Sequence, residues 1–339
     1  MTEALRLRVL DLSRYAPGPF CTLILAALGA EVIKIEAPPS GDPLRELDPE
    51  AFERLNAGKK SIVLDLKHDY GKVTLRRLAK DADVLVEGFR PGVMSRLGLD
   101  YESLMKEAPR LVYLSLTGYG QEGPYRDRAG HDVNYMAAAG ALRGVGNPLA
   151  IQVADVAGGG LFGAVAALSA ILARGPAGSG RHLDLSMHHG VLSMMLLPSG
   201  KASAHLSGSF PNYAIYRTRD GGALSVGALE PKFWEAFCSG IDKPGLVNRM
   251  LDSEAVAEVA RVIAERDLAF WEEKFSRIDA CVEPLHRTET AHLHPQAVHR
   301  SAGPGFSLPF LDGAKAADLG RAPRLGEHGI EFGVNLAEA

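Results

Sequence analysis

Two patterns of apolar and polar positions alternate along the first third of the chain. Short runs rich in Val, Ile and Leu between turn residues predict buried strands, and apolar residues at helical spacing predict helices. The predicted strands are Leu7–Leu12, Glu31–Glu36, Ser61–Leu66, Val84–Phe89 and Leu111–Leu116. The predicted helices between them are Pro19–Leu28, Asp69–Lys80 and Pro91–Gly98. This alternation predicts an α/β fold, an open parallel sheet covered by helices.

The pattern changes near positions 201–208, where we predict that a second, smaller domain begins. Two strands, Asn212–Arg217 and Ala223–Gly227, flank Asp220-Gly221-Gly222, which is a typical hairpin signal. The short helices predicted after the hairpin are Lys232–Ser239, Glu254–Arg266 and Leu268–Phe275. The sequence therefore predicts a large domain at 1–200, a small α+β domain at 208–300 and a tail, 301–339, that returns to the large domain.

Composition narrows the functional classes. A chain of 339 residues that is 46% hydrophobic can bury a sizeable core, and its net charge of −4 gives no sign of binding to nucleic acid or membranes. The three cysteines, Cys21, Cys238 and Cys281, are far apart and odd in number, which favours a reducing compartment. We read no apolar run as long as the roughly 18 residues of a membrane span and no secretory leader. We expect a soluble cytoplasmic protein.

Two stretches carry the candidate chemistry. Gly130-His131-Asp132 places an imidazole beside a carboxylate, and Asp155 precedes the glycine run Gly158–Gly160 at the start of an apolar helix that ends at Arg174. A carboxyl group and an imidazole could take a proton from one face of a carbon and return it to the other. Glycine disfavours helices, so we expect the glycine amides to form an oxyanion site, with close helix packing as the alternative.

Basic residues at the predicted strand ends are candidates for binding phosphates. Lys59-Lys60 and Arg90 lie where a parallel sheet binds its ligand. The motif Gly118-x-Gly120-x-x-Gly123 also follows a strand, but Pro124 and a charged run come next instead of an apolar helix. The context of a dinucleotide site is therefore missing.

Other constellations favour ordinary structural roles. No G-x-S-x-G elbow occurs, so the sequence does not indicate a serine hydrolase. Four histidines are close in sequence, although the spacing of a known metal site is lacking and a surface role is favoured over a metal. They are His286, His292, His294 and His299.

Collinear motifs give the chain a resemblance to the CoA-transferase family III (CaiB/BaiF) superfamily, and within it to the α-methylacyl-CoA racemases. The motifs run over nearly the whole sequence and are highly specific for the superfamily. They are Val9-Leu10-Asp11-Leu12-Ser13, Pro17-Gly18-Pro19, Glu31–Glu36, Asn56-Ala57-Gly58-Lys59-Lys60-Ser61, Val86–Gly92, Gly130-His131-Asp132 and Ala280–Pro284.

The resemblance implies a Rossmann-like large domain that binds CoA and an interlocked homodimer, with each active site between the large domain of one subunit and the small domain of the other. It implies that Asp155 and His131 are opposed acid/base groups and that His131 is paired with Glu230. The CoA ester is expected to contact Lys34, Lys59, Arg90 and Tyr135. No metal or redox cofactor is required.

Three functions compete. The first is a racemase, because transferases of the superfamily usually carry an aromatic residue at the position of His131. The second is an acyl-CoA:carboxylate CoA-transferase in which Asp155 is the nucleophile. The third, a catalytically idle CoA-ester-binding homologue, is disfavoured by the intact set of His131, Asp155 and Glu230. The sequence leaves the acyl chain open.

Overall fold

The chain forms two compact units. The computed structural model describes residues 6–142, 149–196, 205–300 and 319–334. The first unit comprises Met1–Met194 and Pro295–Ala339, and the second comprises Met195–His294. The predicted domain limits, 1–200 with 301–339 and 208–300, fall partly in residues 197–204 and 301–318, which lie outside the described residues.

A six-stranded sheet forms the centre of the first unit. The strands are β1 (Arg8–Leu12), β2 (Glu31–Glu36), β3 (Lys60–Val63), β4 (Val84–Glu87), β5 (Val112–Thr117) and β6 (His182–Ser186). Their order is β3-β2-β1-β4-β5-β6, and every neighbouring pair is parallel. The predicted open parallel sheet is confirmed, and β6 is a strand that the sequence analysis did not predict.

Helices cover both faces of this sheet. The α-helices of the unit are α1 (Pro17–Ala27), α2 (Leu44–Leu47), α3 (Pro49–Asn56), α4 (Asp69–Lys80), α5 (Val93–Leu97), α6 (Tyr101–Leu104), α7 (Asp132–Ala138), α8 (Phe162–Arg174), α9 (Met187–Met194) and α13 (Pro295–His299). Alternate strand residues enter different core clusters: Leu10 and Ile33 lie in one, and Val9 and Val32 in the other. Burial on both faces explains why these strands are almost continuously apolar.

The glycine run lies inside a π-helix, Ala154–Leu161, that continues into α8. Because this helix begins before the run, Gly158–Gly160 fall beyond its first turn, and all three glycines are buried. A Cβ atom at Gly158 would lie 2.9 Å from the carbonyl oxygen of Met187, and one at Gly160 would lie 2.8 Å from that of Pro17. The expectation of an oxyanion site was wrong, because these glycines serve the close approach of α9 and α1.

The π-helix and α8 together give a 21-residue helix, Ala154–Arg174, that is long and apolar enough to cross a membrane by length and composition. The expectation that no apolar run reaches this length was therefore wrong. About two fifths of its most apolar window, 39%, is buried within the protein. It contacts α1, α9 and strands β5 and β6, as the core helix of a folded domain does.

The second unit packs helices against a three-stranded antiparallel sheet. Its strands are β7 (Tyr213–Arg217), β8 (Ala223–Gly227) and β9 (Val282–Pro284), in that order. Its helices are α10 (Pro231–Gly240), α11 (Ala255–Ile263) and α12 (Leu268–Phe275), with 3₁₀ turns at Pro244–Arg249 and Ala291–Leu293. The predicted hairpin and all three predicted helices are present. Trp234 and Phe237 lie fully buried at the centre of its core.

The described part of the tail contacts the edge strand β3. The amide of His328 donates a hydrogen bond of 2.9 Å to the carbonyl oxygen of Ser61, and the amide of Gly326 donates one of 3.0 Å to its hydroxyl. A short 3₁₀ turn, Ile330–Phe332, follows and places the Phe332 ring in the core. Covering this edge satisfies strand groups that would otherwise be open to pairing.

A buried ion network lies at the carboxyl end of β1. Asp11 is fully buried and pairs with Lys59 over 3.1 Å, while Lys34 pairs with Asp42 over 2.9 Å and donates to the carbonyl oxygen of Ser13. Burial alone would raise the pKa of Asp11, but the two ammonium groups and two hydroxyl donors hold it well below its usual range. The Asp11 carboxylate is therefore charged in the folded protein.

This network overturns two predicted CoA contacts. The side chains of Lys34 and Lys59 are both 0% exposed. The Lys59 ammonium also meets three further acceptors, the Pro19 carbonyl, the Thr22 hydroxyl and the Asn56 amide oxygen. Both lysines are fully engaged inside the protein, so their role is structural.

We expect Lys59→Ala to lower the free energy of unfolding by about 3–5 kcal/mol, because it leaves the buried Asp11 carboxylate without its nearest cation. The matched control is Lys60→Ala, next in the chain, whose ion pairs with Glu31 and Glu331 are partly exposed. Their loss should cost less than about 1 kcal/mol. Urea unfolding followed by circular dichroism measures both. Equal losses in the two variants would contradict the structural role of Lys59.

Candidate active site

A cavity of about 620 Å³ opens at the carboxyl ends of the central strands. Ser13 follows β1, Gly88 follows β4 and Gly118 follows β5, and all three line it. The strand order reverses between β1 and β4, so the cavity lies at the topological switch point, where open α/β sheets bind their ligands.

His131 enters the cavity from the N-terminus of α7. It is the N-cap residue, with an extended backbone, and its amide donates a hydrogen bond of 3.0 Å to Oδ1 of Asn134. The amide of Asn134 in turn donates to the His131 carbonyl oxygen over 2.8 Å. This reciprocal arrangement holds the backbone of His131 in place and leaves its side chain exposed at the cavity.

Asp155 reaches the same cavity from the first turn of the π-helix. Its amide donates a hydrogen bond of 3.0 Å to Oδ1 of Asp132, the residue that follows His131. The carboxylate of Asp132 thus connects the two segments that carry the predicted acid/base pair. This hydrogen bond helps to fix the spacing of the pair, together with the packing of α7 against the π-helix.

Burial makes the Asp155 carboxyl harder to ionise. Burial, the largest cause, and the charge of Asp132 together raise the pKa of Asp155 to about 6, while His131 opposes the rise. Because this value lies above the ordinary 3.8, ionisation costs stability. The cost is absent below pH 3.8 and fully present above about pH 6. A carboxyl group of this kind can hold or release a proton near neutrality.

Tyr135 lines the cavity with most of its ring buried. Its hydroxyl donates a hydrogen bond to the carbonyl oxygen of Gly130, and its ring fills the space that a Cβ atom at Gly118 would need. Burial, together with the nearby charge of Asp155, raises the pKa of Tyr135 to about 12. Tyr135 therefore supports the loop before His131 and offers its hydroxyl oxygen as an acceptor.

Arginines give the cavity mouth a positive charge. Arg90 was predicted from the sequence, but the structure adds Arg14, Arg126 and Arg128, which also line the cavity. All four are exposed. Arg126 and Arg128 belong to the charged run after Pro124. The sequence analysis used that run only as an argument against a dinucleotide site. Guanidinium groups suit phosphate oxygens well because they can donate two parallel hydrogen bonds.

Glu87, at the end of β4, positions the loop that carries Arg90 and was missed by sequence reasoning. Its Oε2 accepts a hydrogen bond of 2.8 Å from the amide of Phe89. Burial raises the pKa of Glu87 to about 7. It lines a neighbouring cavity of about 280 Å³ that shares Arg90 and Arg126 with the first.

Glu230, the third predicted catalytic residue, belongs to the second unit. It is the exposed N-cap residue of α10, and its carbonyl oxygen accepts from the amides of Phe233 and Trp234. Its pairing with His131 stays a prediction.

The motif Gly118–Gly123 is followed by a turn and not by a helix, as its sequence context indicated.

Comparison with known proteins identifies the class of this site. The model of CoA-transferase family III matches residues 6–328. The chain is 38% identical to human alpha-methylacyl-CoA racemase over 96% of its length and 91% of that protein's. It is 33% identical to acetyl-CoA:oxalate CoA-transferase of Acetobacter aceti, over 87% and 84% of the two lengths. A solved CAIB/BAIF family protein from Brucella suis superimposes with a TM-score of 0.81 at 27% identity, over 96% of this chain and 97% of that one.

We expect Asp132→Asn to lower the pKa of Asp155, because the variant loses a neighbouring negative charge but keeps an oxygen for the Asp155 amide. His131→Ala should raise this pKa, because it removes the opposing effect of the imidazole. Carbon-13 NMR of the side-chain carboxyl groups measures the midpoint, expected at about 6 in the unaltered protein. A midpoint that neither substitution moves would show that the three groups are not coupled.

Proposed function

The chain belongs to CoA-transferase family III, and we propose that within this family it is a racemase that interconverts the 2R and 2S forms of a 2-methylacyl-CoA thioester. The observation that carries the proposal is the presence of His131 and Asp155 in one cavity, close enough for His131 to lower the pKa of the carboxyl. Similarity to the human racemase over nearly the whole chain supports it.

A thioester makes its α-proton acidic, because the enolate that remains spreads its charge onto oxygen. Inversion at this carbon needs two groups, one that removes the proton from one face and one that delivers a proton to the other. In one direction the ionised Asp155 accepts while the protonated His131 donates. In the reverse direction neutral His131 accepts and protonated Asp155 donates, so each turnover leaves the pair ready for the opposite epimer.

The raised pKa of Asp155 suits this exchange of roles. A two-base reaction runs in both directions when the two groups hold a proton with similar strength. A carboxyl group with an ordinary pKa would almost never be protonated near neutrality. Burial and the charge of Asp132 bring the pKa of Asp155 to about 6, the range in which imidazoles usually titrate.

The arginines at the cavity mouth are proposed to hold the phosphates of CoA. Arg90 keeps this role, and Arg14, Arg126 and Arg128 take the place of the two buried lysines. Phosphates at the mouth would leave the thioester end of the substrate near His131 and Asp155. Under the same proposal Glu230 stabilises the imidazolium, as the carboxylate of a catalytic triad does.

The alternative is CoA transfer, which the similarity to the Acetobacter aceti enzyme supports. The ionised Asp155 would attack the thioester carbonyl, release CoA as a thiolate and keep the acyl group as a mixed anhydride. An acceptor carboxylate would then be required. This reaction makes no use of His131 as a base and leaves the α-carbon untouched.

We expect the protein to exchange the α-proton of a single 2-methylacyl-CoA with solvent and to interconvert its epimers without a second acid. In heavy water both epimers should acquire deuterium, as NMR of the α-position over time would show. Asp155→Asn should lower turnover by at least two orders of magnitude, on the scale of lost acid/base catalysis. His131→Ala should slow one starting epimer more than the other, because each epimer presents its proton to a different group.

Asp132→Asn serves as the matched control in this experiment, because it changes the charge beside Asp155 while keeping the acceptor for its amide. It should shift the pH profile without abolishing exchange. Chromatography of the same samples detects newly formed CoA esters. Transfer of CoA to an added carboxylate without α-exchange would overturn the racemase and establish the transferase.

Arg90→Ala should raise the KM for the acyl-CoA with little change in kcat, because a phosphate contact far from the reacting carbon stabilises substrate and transition state alike. Arg96→Ala is a suitable control, since Arg96 lies in α5 nearby and lines neither described cavity. Steady-state kinetics at saturating and limiting acyl-CoA separates the two constants. A fall in kcat alone, with an unchanged KM, would contradict the proposed role of Arg90 in binding the phosphates of CoA.

A further inference from the structure

Three side chains of the second unit converge at a point that the proposed reaction does not use. One carboxylate oxygen of Glu283 and one ring nitrogen each of His286 and His294 all lie within 4.8 Å of one another. The two imidazole rings have centroids 5.2 Å apart and planes at 70°. Rings crossed in this way can present nitrogens to a common point, whereas stacked rings cannot.

The backbone around the cluster is held by hydrogen bonds. Glu283 lies in β9 opposite Ser225, whose hydroxyl donates to the Glu283 carbonyl oxygen over 3.0 Å. Just before His286, the amide of Leu285 donates to the carbonyl oxygen of Ala223. His294 closes the 3₁₀ turn Ala291–Leu293. Glu283 therefore lies in the edge strand β9, His286 lies just after it, and His294 ends a 3₁₀ turn.

We propose that Glu283, His286 and His294 bind a divalent transition-metal ion, with Zn²⁺ as the preferred metal. Two imidazoles and one carboxylate form a typical zinc ligand set, which leaves the fourth position to water. Bonds of about 2.1 Å at tetrahedral angles require ligand atoms about 3.4 Å apart. The ligand atoms must therefore move closer together than their present separations of up to 4.8 Å. Side-chain rotation can bring them together, because the three residues are at least partly exposed.

The fold determines which of the neighbouring histidines come together, and closeness in the sequence does not. His292 and His299 were grouped with the same residues in the sequence, yet neither belongs to the cluster. Glu283 is three residues from His286, and His294 returns to them only through the intervening turn. The nearby cation Arg287 lies 3.5 Å from the Glu289 carboxylate, which offsets its repulsion of a metal ion.

The test uses the full chain without a histidine tag, stripped of metal with a chelator. Titration with Zn²⁺ in the calorimeter should show one ion per chain, and Co²⁺ should give the intense visible bands of a tetrahedral site. Glu283→Gln, His286→Ala and His294→Ala should each weaken Zn²⁺ binding at least tenfold. His292→Ala is the matched control and should leave the affinity unchanged.

The variants also report on stability, because an ion that binds only the folded state raises the melting temperature. Zn²⁺ should do so for the unaltered protein and for His292→Ala, but not for His286→Ala. If His292→Ala loses as much affinity as His286→Ala, binding is diffuse and the assignment fails. An octahedral Co²⁺ spectrum or the lack of a one-to-one end point would overturn it as well.

Discussion

The buried pairing of Asp11 with Lys59 is the constraint on which the first unit depends. Asp11 is the penultimate residue of β1, beside the switch point, and also accepts hydrogen bonds from Ser13 and Thr22. One carboxylate thereby connects the central strand, helix α1 and the turn before β3. Two opposite charges without water are tolerated only when each is paired and hydrogen-bonded. The arrangement fixes the loop after β1, which forms part of the cavity wall.

The acid/base properties of the cavity depend on Asp155, a carboxyl group that is mostly buried without a paired ammonium or guanidinium group among the described residues. Asp11 is surrounded by ammonium groups and stays ionised. Asp155 is mostly buried beside the charge of Asp132 and becomes a weaker acid, an effect that His131 only partly opposes. Two residues of one type thus acquire opposite properties from their surroundings. The glycines behind Asp155 let the π-helix approach α9 and α1 closely.

The chain is similar both to racemases and to CoA-transferases, and the features of the cavity are compatible with either reaction. Either reaction requires an aspartate at the cavity and cations for the phosphates of CoA. What separates them is whether a second proton-transferring group faces the carboxyl group. In this chain His131 lines the same cavity as Asp155, and Asp132 connects the two segments.

The sequence by itself determined the layered fold, because the alternation of predicted strands and helices is a local pattern. It also determined the acid/base candidates, because His131 and Asp155 each lie in a distinctive short motif. The bounds of β2 and α4 were predicted to the residue. Tertiary structure alone decided which charged side chains line the cavity and which are buried in the core. Lys59 and Arg90 both follow or precede strands in the sequence, but only packing buries the first and exposes the second. Burial depends on contacts between distant segments, and no local pattern records it.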